Sequence, residues 1–153
     1  MTATTPALQT DTAARLRATL ARLNRRLRPT AAGTAAGLTP TRMSLLTTIN
    51  RLGQIRLSEL AKEEGINPTM LSRIVGDLAD AGLIERVGDP HDRRAALVNV
   101  TRAGRRLVER MRRERTDVLS LALEGLSPAD RRQLERALPA LEGLAEKLKD
   151  ERR

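Results

Sequence analysis

The sequence predicts a mainly α-helical fold with a small β element, an α+β arrangement, on three observations. Apolar residues recur at helical spacing through most of the chain, separated by residues that start and stop helices. Between Leu57 and Val100 the pattern changes: two helices are joined by a very short turn, and two short apolar segments then flank a polar turn. Phe, Trp and Tyr are absent, so the core must be assembled from many aliphatic side chains, a material that suits packed helical layers.

Residues 1–10, rich in Thr and Ala, read as a disordered N-terminus. A first helix follows from about Asp11 to Arg28, its Leu16, Leu20, Leu23 and Leu27 forming a narrow heptad-like seam. Pro29 stops it, and Thr30 to Gly37 reads as a small-residue linker, so that 11–37 is one helix plus linker. Thr39 caps the next helix with Pro40 at its first position, and Leu38 is placed to staple onto Met43. Met43, Leu46 and Ile49 share a face of that helix, and Gly53 ends it. Gln54 to Leu57 is a short extended piece suited to a third strand.

Ser58 is the expected cap of a helix that Gly65 stops, and Asn67-Pro68 restarts a helix at once. Two helices joined this tightly form a helix-turn-helix. In the second, from Pro68 to Ala81, Leu71, Ile74, Val75 and Leu78 define the buried face. After Gly82, Leu83 to Val87, the polar turn Gly88 to Asp92, Arg93-Arg94 and Ala95 to Val100 read as a hairpin with arginines at its tip. Residues 38–101 thus form one winged helix-turn-helix unit. Thr101 caps a long helix to about Gly125, and Ser127-Pro128-Ala129-Asp130 opens a last helix carrying Leu134, Leu138, Leu141 and Leu148, so that 102–153 is helical. Nothing in the sequence accounts for Pro139 inside that helix.

Composition narrows the function. With no cysteine and one histidine, no thiolate or ordinary His-based metal site can form, thiol redox sensing is excluded, and no cofactor is expected. There is no Gly-rich phosphate loop and no nucleophile placed beside His91, so an enzyme is not expected. Met1 to Asp11 lacks the basic-then-apolar pattern of a secretion signal, no later stretch is long and apolar enough to span a membrane, and the expected location is the cytoplasm.

The formal charge of +9 favours a polyanionic partner. Its distribution is uneven: residues 1–54 carry 8 basic and 1 acidic side chains, 55–101 carry 6 and 8, and 102–153 carry 14 and 10. The central unit is slightly acidic, which argues for a few placed arginines over a general basic coat.

Those placed residues follow from the helix geometry. With Asn67 as cap and Pro68 in the first turn, the second helix presents free amides and a positive dipole end. Thr69, Ser72 and Arg73 lie outward near that end, where hydroxyls reach phosphates or base edges and an arginine can grip guanine through two hydrogen bonds. At the hairpin tip, Arg93 and Arg94 are suited to a narrow minor groove, and Asp92 reads as a carboxylate that holds Arg94 extended. The plainer alternatives are a solvated polar helix face and an ordinary solvated turn.

Three helices at the two ends of the chain, the first and the last two, carry long thin leucine seams that need a partner surface. Exchange between two copies of the chain matches them best and predicts a two-fold homodimer; an intramolecular three-helix bundle is the alternative.

The residues Leu57 to Ala61, Asn67 to Arg73, Gly82 to Arg86, Asp89 to Arg94, Leu97 to Thr101 and Gly104 together resemble the MarR family of winged-helix transcription regulators, with likeness extending over about residues 11–149. The resemblance implies a dimer joined by its first and last helices and a recognition helix in the major groove. By position, Pro68, Thr69, Ser72 and Arg73 match that helix, while Asp92 and Arg94 match a wing aspartate and a groove-inserting arginine. It also implies repression relieved by a small-molecule effector bound between the dimer helices and the reading unit. Aromatic or His side chains often line such pockets; this chain has no aromatic residue and its one histidine, His91, falls in the hairpin turn, so Met43, Leu46 and Met111 are the walls it offers. The function expected is therefore a dimeric repressor on a pseudo-palindromic double-stranded DNA operator. The alternative is a weakly specific architectural DNA-binding protein.

Overall fold

The computed structural model describes residues 6–88 and 96–150, with side chains for 10–88 and 96–148. In chain order the elements are α1 (Pro6–Leu27), α2 (Ala31–Ala35), α3 (Pro40–Leu52), β1 (Ile55–Arg56), α4 (Leu57–Glu64), α5 (Pro68–Asp80), β2 (Ile84–Gly88), β3 (Ala96–Val100), α6 (Arg102–Glu124) and α7 (Pro128–Asp150). The chain divides into two units, residues 1–115 and 116–153.

In the first unit, three antiparallel strands lie in the order β1-β3-β2. Ile55 pairs with Val98 and Arg56 with Leu97, so the short extended piece read from Gln54 to Leu57 does add a third strand. Ile84 pairs with Val100 and Gly88 with Ala96, which makes β2 and β3 the arms of the expected hairpin. Against this sheet pack α3, α4, α5 and the first turns of α6, contributing Leu45, Leu46, Ile49, Leu60, Leu71, Val75, Leu78, Leu107 and Met111 to a core that also takes in Val98 and Val100. Each aliphatic side chain buried this way is worth about 1.5–3 kcal/mol, so number replaces the aromatic bulk the chain lacks.

The joints are built from local chemistry. Gly65 takes the left-handed conformation (φ 64°) that ends α4, and the Asn67 side chain accepts from the Met70 amide at 2.8 Å to start α5. Only Gly65, Ile66 and Asn67 lie between the two helices, which fixes the helix-turn-helix. The Thr101 hydroxyl donates to the Gly82 carbonyl at 2.7 Å and accepts from the Gly104 amide at 3.1 Å, tying the start of α6 to the root of β2. Gly104 sits so close to that root that a Cβ there would lie 2.1 Å from the Leu83 carbonyl oxygen.

Three expectations need correction. α1 begins at Pro6, so residues 6–10 are helical and not part of a disordered tail; proline's fixed φ suits a first helical position, and the Ala and Leu that follow favour a helix. The stretch from Thr30 to Gly37 holds a short helix, α2, capped by the Thr30 side chain accepting from Gly33. It is stabilised from afar, because the Glu114 carboxylate accepts from the Ala32 amide at 3.1 and 3.2 Å and Gly33 is buried against Met43. Finally, Ser58 is inside α4; pairing with β3 sets the helix start so that Arg56 occupies the cap position, and its guanidinium, which carries no acceptor atom, makes no side-chain cap bond.

In the second unit, Ser127 caps α7 as read, with the Asp130 amide donating to the Ser127 hydroxyl at 3.1 Å and that hydroxyl donating to the Asp130 carboxylate at 2.7 Å. Its apolar residues stay open to solvent: Val118 is 57% exposed, Leu121 70%, Leu138 52% and Leu148 53%. Pro139 lies within α7. No helix among the described residues is long and apolar enough to cross a membrane.

Candidate nucleic-acid interface

α5 carries the predicted site. Leu71, Ile74, Val75 and Leu78 are buried as the periodicity requires, which turns Pro68, Thr69, Ser72 and Arg73 to solvent. Pro68 opens the helix, whose first turn holds no acidic residue. The free amides and positive dipole end there face outward, with the Thr69 and Ser72 hydroxyls and the Arg73 guanidinium close by. Asn67, Thr69, Met70 and Arg73 line a shallow groove along this end.

The structure adds two cations that sequence reasoning overlooked. Arg86, on β2, donates to the Ser72 carbonyl at 3.3 Å and so places its guanidinium beside α5, with Nη2 4.0 Å from where a Cβ on Gly76 would stand. Its direction was available from strand alternation, which puts Arg86 on the same face of β2 as the buried Ile84. Arg42, in the first turn of α3, forms an ion pair with Asp77 of α5. No short-range pattern connects these residues, which lie 35 positions apart. The pair neutralises the acid nearest the reading end of α5, so Asp77 does not need the tilt of the helix to make it tolerable near a polyanion.

Asp92, Arg93 and Arg94 lie outside the described residues. The strands leading to them, β2 and β3, are in place and antiparallel, with Gly88 opposite Ala96 as the last described pair.

A second concavity lies away from α5. It is lined by Leu20, Leu23 and Leu27 of α1, by Arg28, by Met43, Ser44 and Thr47 of α3, and by Arg115 of α6. Of the three pocket walls expected from the sequence, Met43 borders this cleft, while Leu46 and Met111 are fully enclosed in the core. With no aromatic residue to fill the centre, those two long side chains are used there. Arg115 brings a guanidinium whose Nε is buried without a hydrogen-bond partner.

A three-stranded sheet, a helix-turn-helix whose second helix exposes its N-terminal face, and a hairpin projecting beside it define a winged helix-turn-helix protein. Comparison with known proteins places it further. The MarR family model matches residues 38–96. An HTH-type transcriptional regulator of Mycobacterium bovis is 35% identical over 89 residues, 58% of this chain and 62% of the relative. The HTH-type transcriptional repressor IacR of Pseudomonas putida is 26% identical over 97 residues, 63% of this chain and 58% of its own. Among solved structures, RV1404 from Mycobacterium tuberculosis superposes with a TM-score of 0.76 at 28% identity, covering 94% of this chain and 97% of that one. MarR itself gives 0.71 at 26%, covering 88% and 98%. Residues 38–96 are thus similar to the MarR family, and most of the chain shares the fold of MarR itself. It spans about three-fifths of the length of the curated relatives it matches.

Proposed function

We propose that this protein is a sequence-specific repressor that binds a pseudo-palindromic DNA operator as a two-fold homodimer and is released by a small anionic, amphiphilic effector. The observation that carries the reading is the N-terminal face of α5. Thr69, Ser72 and Arg73 stand exposed there with Arg86 alongside, and the nearest acid, Asp77, is paired with Arg42. Such a face suits the major groove, with Arg73 directed at a guanine edge and the hydroxyls at phosphate or base. Arg93 and Arg94 are assigned to the minor groove on sequence grounds, with Asp92 holding Arg94 extended.

Dimerisation is supported by apolar surface that a lone chain leaves in water. Leu20 and Leu23 of α1 are 50% and 46% exposed, and the open leucines of residues 116–153 continue the theme. A seam of this kind is expected to close against a second copy, which also sets two reading helices about one helical turn of DNA apart. The effector reading rests on the cleft at Met43, where leucines offer an apolar wall and Arg28 and Arg115 offer positive charge. Repression is the role in the name of the related IacR protein. Work on chromosomal DNA sets the protein in the cytoplasm.

Selection of bound fragments from random DNA tests the reading, with recovery of a palindromic motif as the expected result. On that motif, Arg73→Ala should relax preference at one base pair per half-site, a loss of roughly 1–3 kcal/mol in discrimination, whereas Arg94→Ala should weaken binding with the dimer intact. Fragments without a shared motif would instead mark a weakly specific architectural protein.

A further inference from the structure

Met70 is the one large apolar side chain on the outer face of α5. It is 42% exposed and is absent from the core that takes in its neighbours Leu71 and Ile74. It lines the groove at the reading end together with Asn67, Thr69 and Arg73. At 3.6 residues per turn, Arg73 lies about 40° round the helix from Thr69 and Met70 about 60° beyond Arg73. The three side chains therefore form a contiguous strip of hydroxyl, guanidinium and thioether. Its backbone is fixed as well, since the Met70 amide is held by the Asn67 cap at 2.8 Å.

A solvent-exposed methionine contributes nothing to the core and is a poor choice for a purely solvated position, given that Ser and Arg occupy the neighbouring outward ones. Beside a guanidinium aimed at base edges, the apolar feature available in the major groove is the C5-methyl of thymine, which no other base of ordinary DNA presents. Charge favours a nucleic acid on this strip, because the first turn of α5 has no acid and Asp77, further along the same flank, is already paired with Arg42. A thioether is soft and flexible enough to close over a methyl group without a rigid fit. We propose that Met70 is a specificity-determining residue that reads a thymine methyl in each half-site, adjacent to the base pair contacted by Arg73. This rests on the DNA-binding reading above.

The experiment uses the full-length protein and the motif recovered by selection, with each thymine replaced in turn by uracil, which removes the methyl and preserves every hydrogen-bonding group. For the wild-type protein, one substitution per half-site should weaken binding about fourfold, the equivalent of one buried methyl-sized group. In Met70→Ala, and in the length-matched Met70→Gln, the same thymine and uracil sites should bind alike, with melting temperatures showing both variants folded. Uracil sensitivity that persists in both variants assigns the methyl contact to another side chain, such as Thr69, and overturns the proposal. Indifference of the wild type to every thymine overturns it too, while leaving sequence-specific binding intact. Failure of the wild type to select any motif overturns the DNA reading itself, so the two failures are distinguishable.

Discussion

Replacing Gly104 by Ala tests how the hairpin is anchored to the helix that follows it. A Cβ at this position would lie 2.1 Å from the Leu83 carbonyl oxygen, 3.0 Å from its carbon and 2.7 Å from Val100 Cγ1. None of these atoms is the free end of a flexible side chain: one group is backbone at the root of β2 and the other a stiff β-branched residue. Ordinary contact begins at 3.4 Å, so the first turn of α6 must lift by more than an ångström. That movement opens the Thr101 joint, whose hydroxyl bridges Gly82 and the Gly104 amide. Overpacking of this sort costs about 1–3 kcal/mol and loss of a helix cap about 1 kcal/mol, partly offset by the roughly 1 kcal/mol that Ala gains over Gly within a helix. The expected net loss of about 1–3 kcal/mol lowers Tm by roughly 2–12 °C for a chain of this size. Urea and thermal unfolding followed by circular dichroism measure it, at one fixed protein concentration because a dimer's stability depends on concentration. Gly143, helical and with nothing within 4 Å of a Cβ added there, is the control; Gly143→Ala should stabilise by up to about 1 kcal/mol. If Gly104→Ala matched the wild type, or moved in the same direction as Gly143→Ala, the close approach of α6 to the hairpin root would be refuted.

Two further outcomes follow from single contacts. Asn67→Ala removes the 2.8 Å cap on α5; stability should fall by about 1 kcal/mol, and operator affinity measured by fluorescence anisotropy should fall with it, because the frayed turn carries Thr69 and Met70. Leu121→Glu places a charge on the most exposed leucine among the described residues of the second unit; sedimentation should register a shift toward monomer at micromolar concentration, and an undisturbed dimer would exclude Leu121 from the subunit contact.

The parts of the fold that were legible in the sequence are those fixed by neighbours in the chain. Gly65 followed by Asn67-Pro68 specifies a stop and a restart whatever surrounds it, and the spacing of Leu71, Ile74, Val75 and Leu78 specifies which face of α5 is outward. Features that depend on distant residues were not legible. α2 looks like a linker because its stabilising partners, Glu114 and Met43, come from α6 and α3. Ser58 has the composition of a cap, but the pairing of Arg56 with Leu97 sets where α4 begins. Leu46 and Met111 are plausible pocket walls by type, and only the three-dimensional demand for core volume in a chain without aromatics decides against them. Arg86 and Met70 carried weak signals, a strand position on the same face as Ile84 and an apolar residue off the buried face of α5, and neither could be weighted without its neighbours.

α3 joins the two surfaces on which the proposed regulation depends. Met43 borders the cleft and packs on Gly33, while its neighbour Arg42 reaches Asp77 on α5, so α3 touches the cleft at one residue and the reading helix at the next. The Arg42–Asp77 pair is about one-third exposed, at 32% and 37%, and its contribution to stability is therefore at most about 1 kcal/mol. Its larger effect is electrostatic: Arg42→Ala leaves an unpaired carboxylate on α5, repelling a phosphate at ~10 Å by about 0.4 kcal/mol in water, roughly twofold in affinity for each phosphate so placed. The loss should shrink as salt is raised, since screening acts over about 10 Å at 0.1 M. Asp77→Asn breaks the same ion pair but leaves the Arg42 guanidinium unpaired, a charge of the opposite sign, so operator affinity should stay at the wild-type level or rise by up to about twofold. Equal, salt-independent losses in both variants would sink the electrostatic account and make the pair a mechanical link between α3 and α5, in which case both variants should also lose their response to an effector in the cleft.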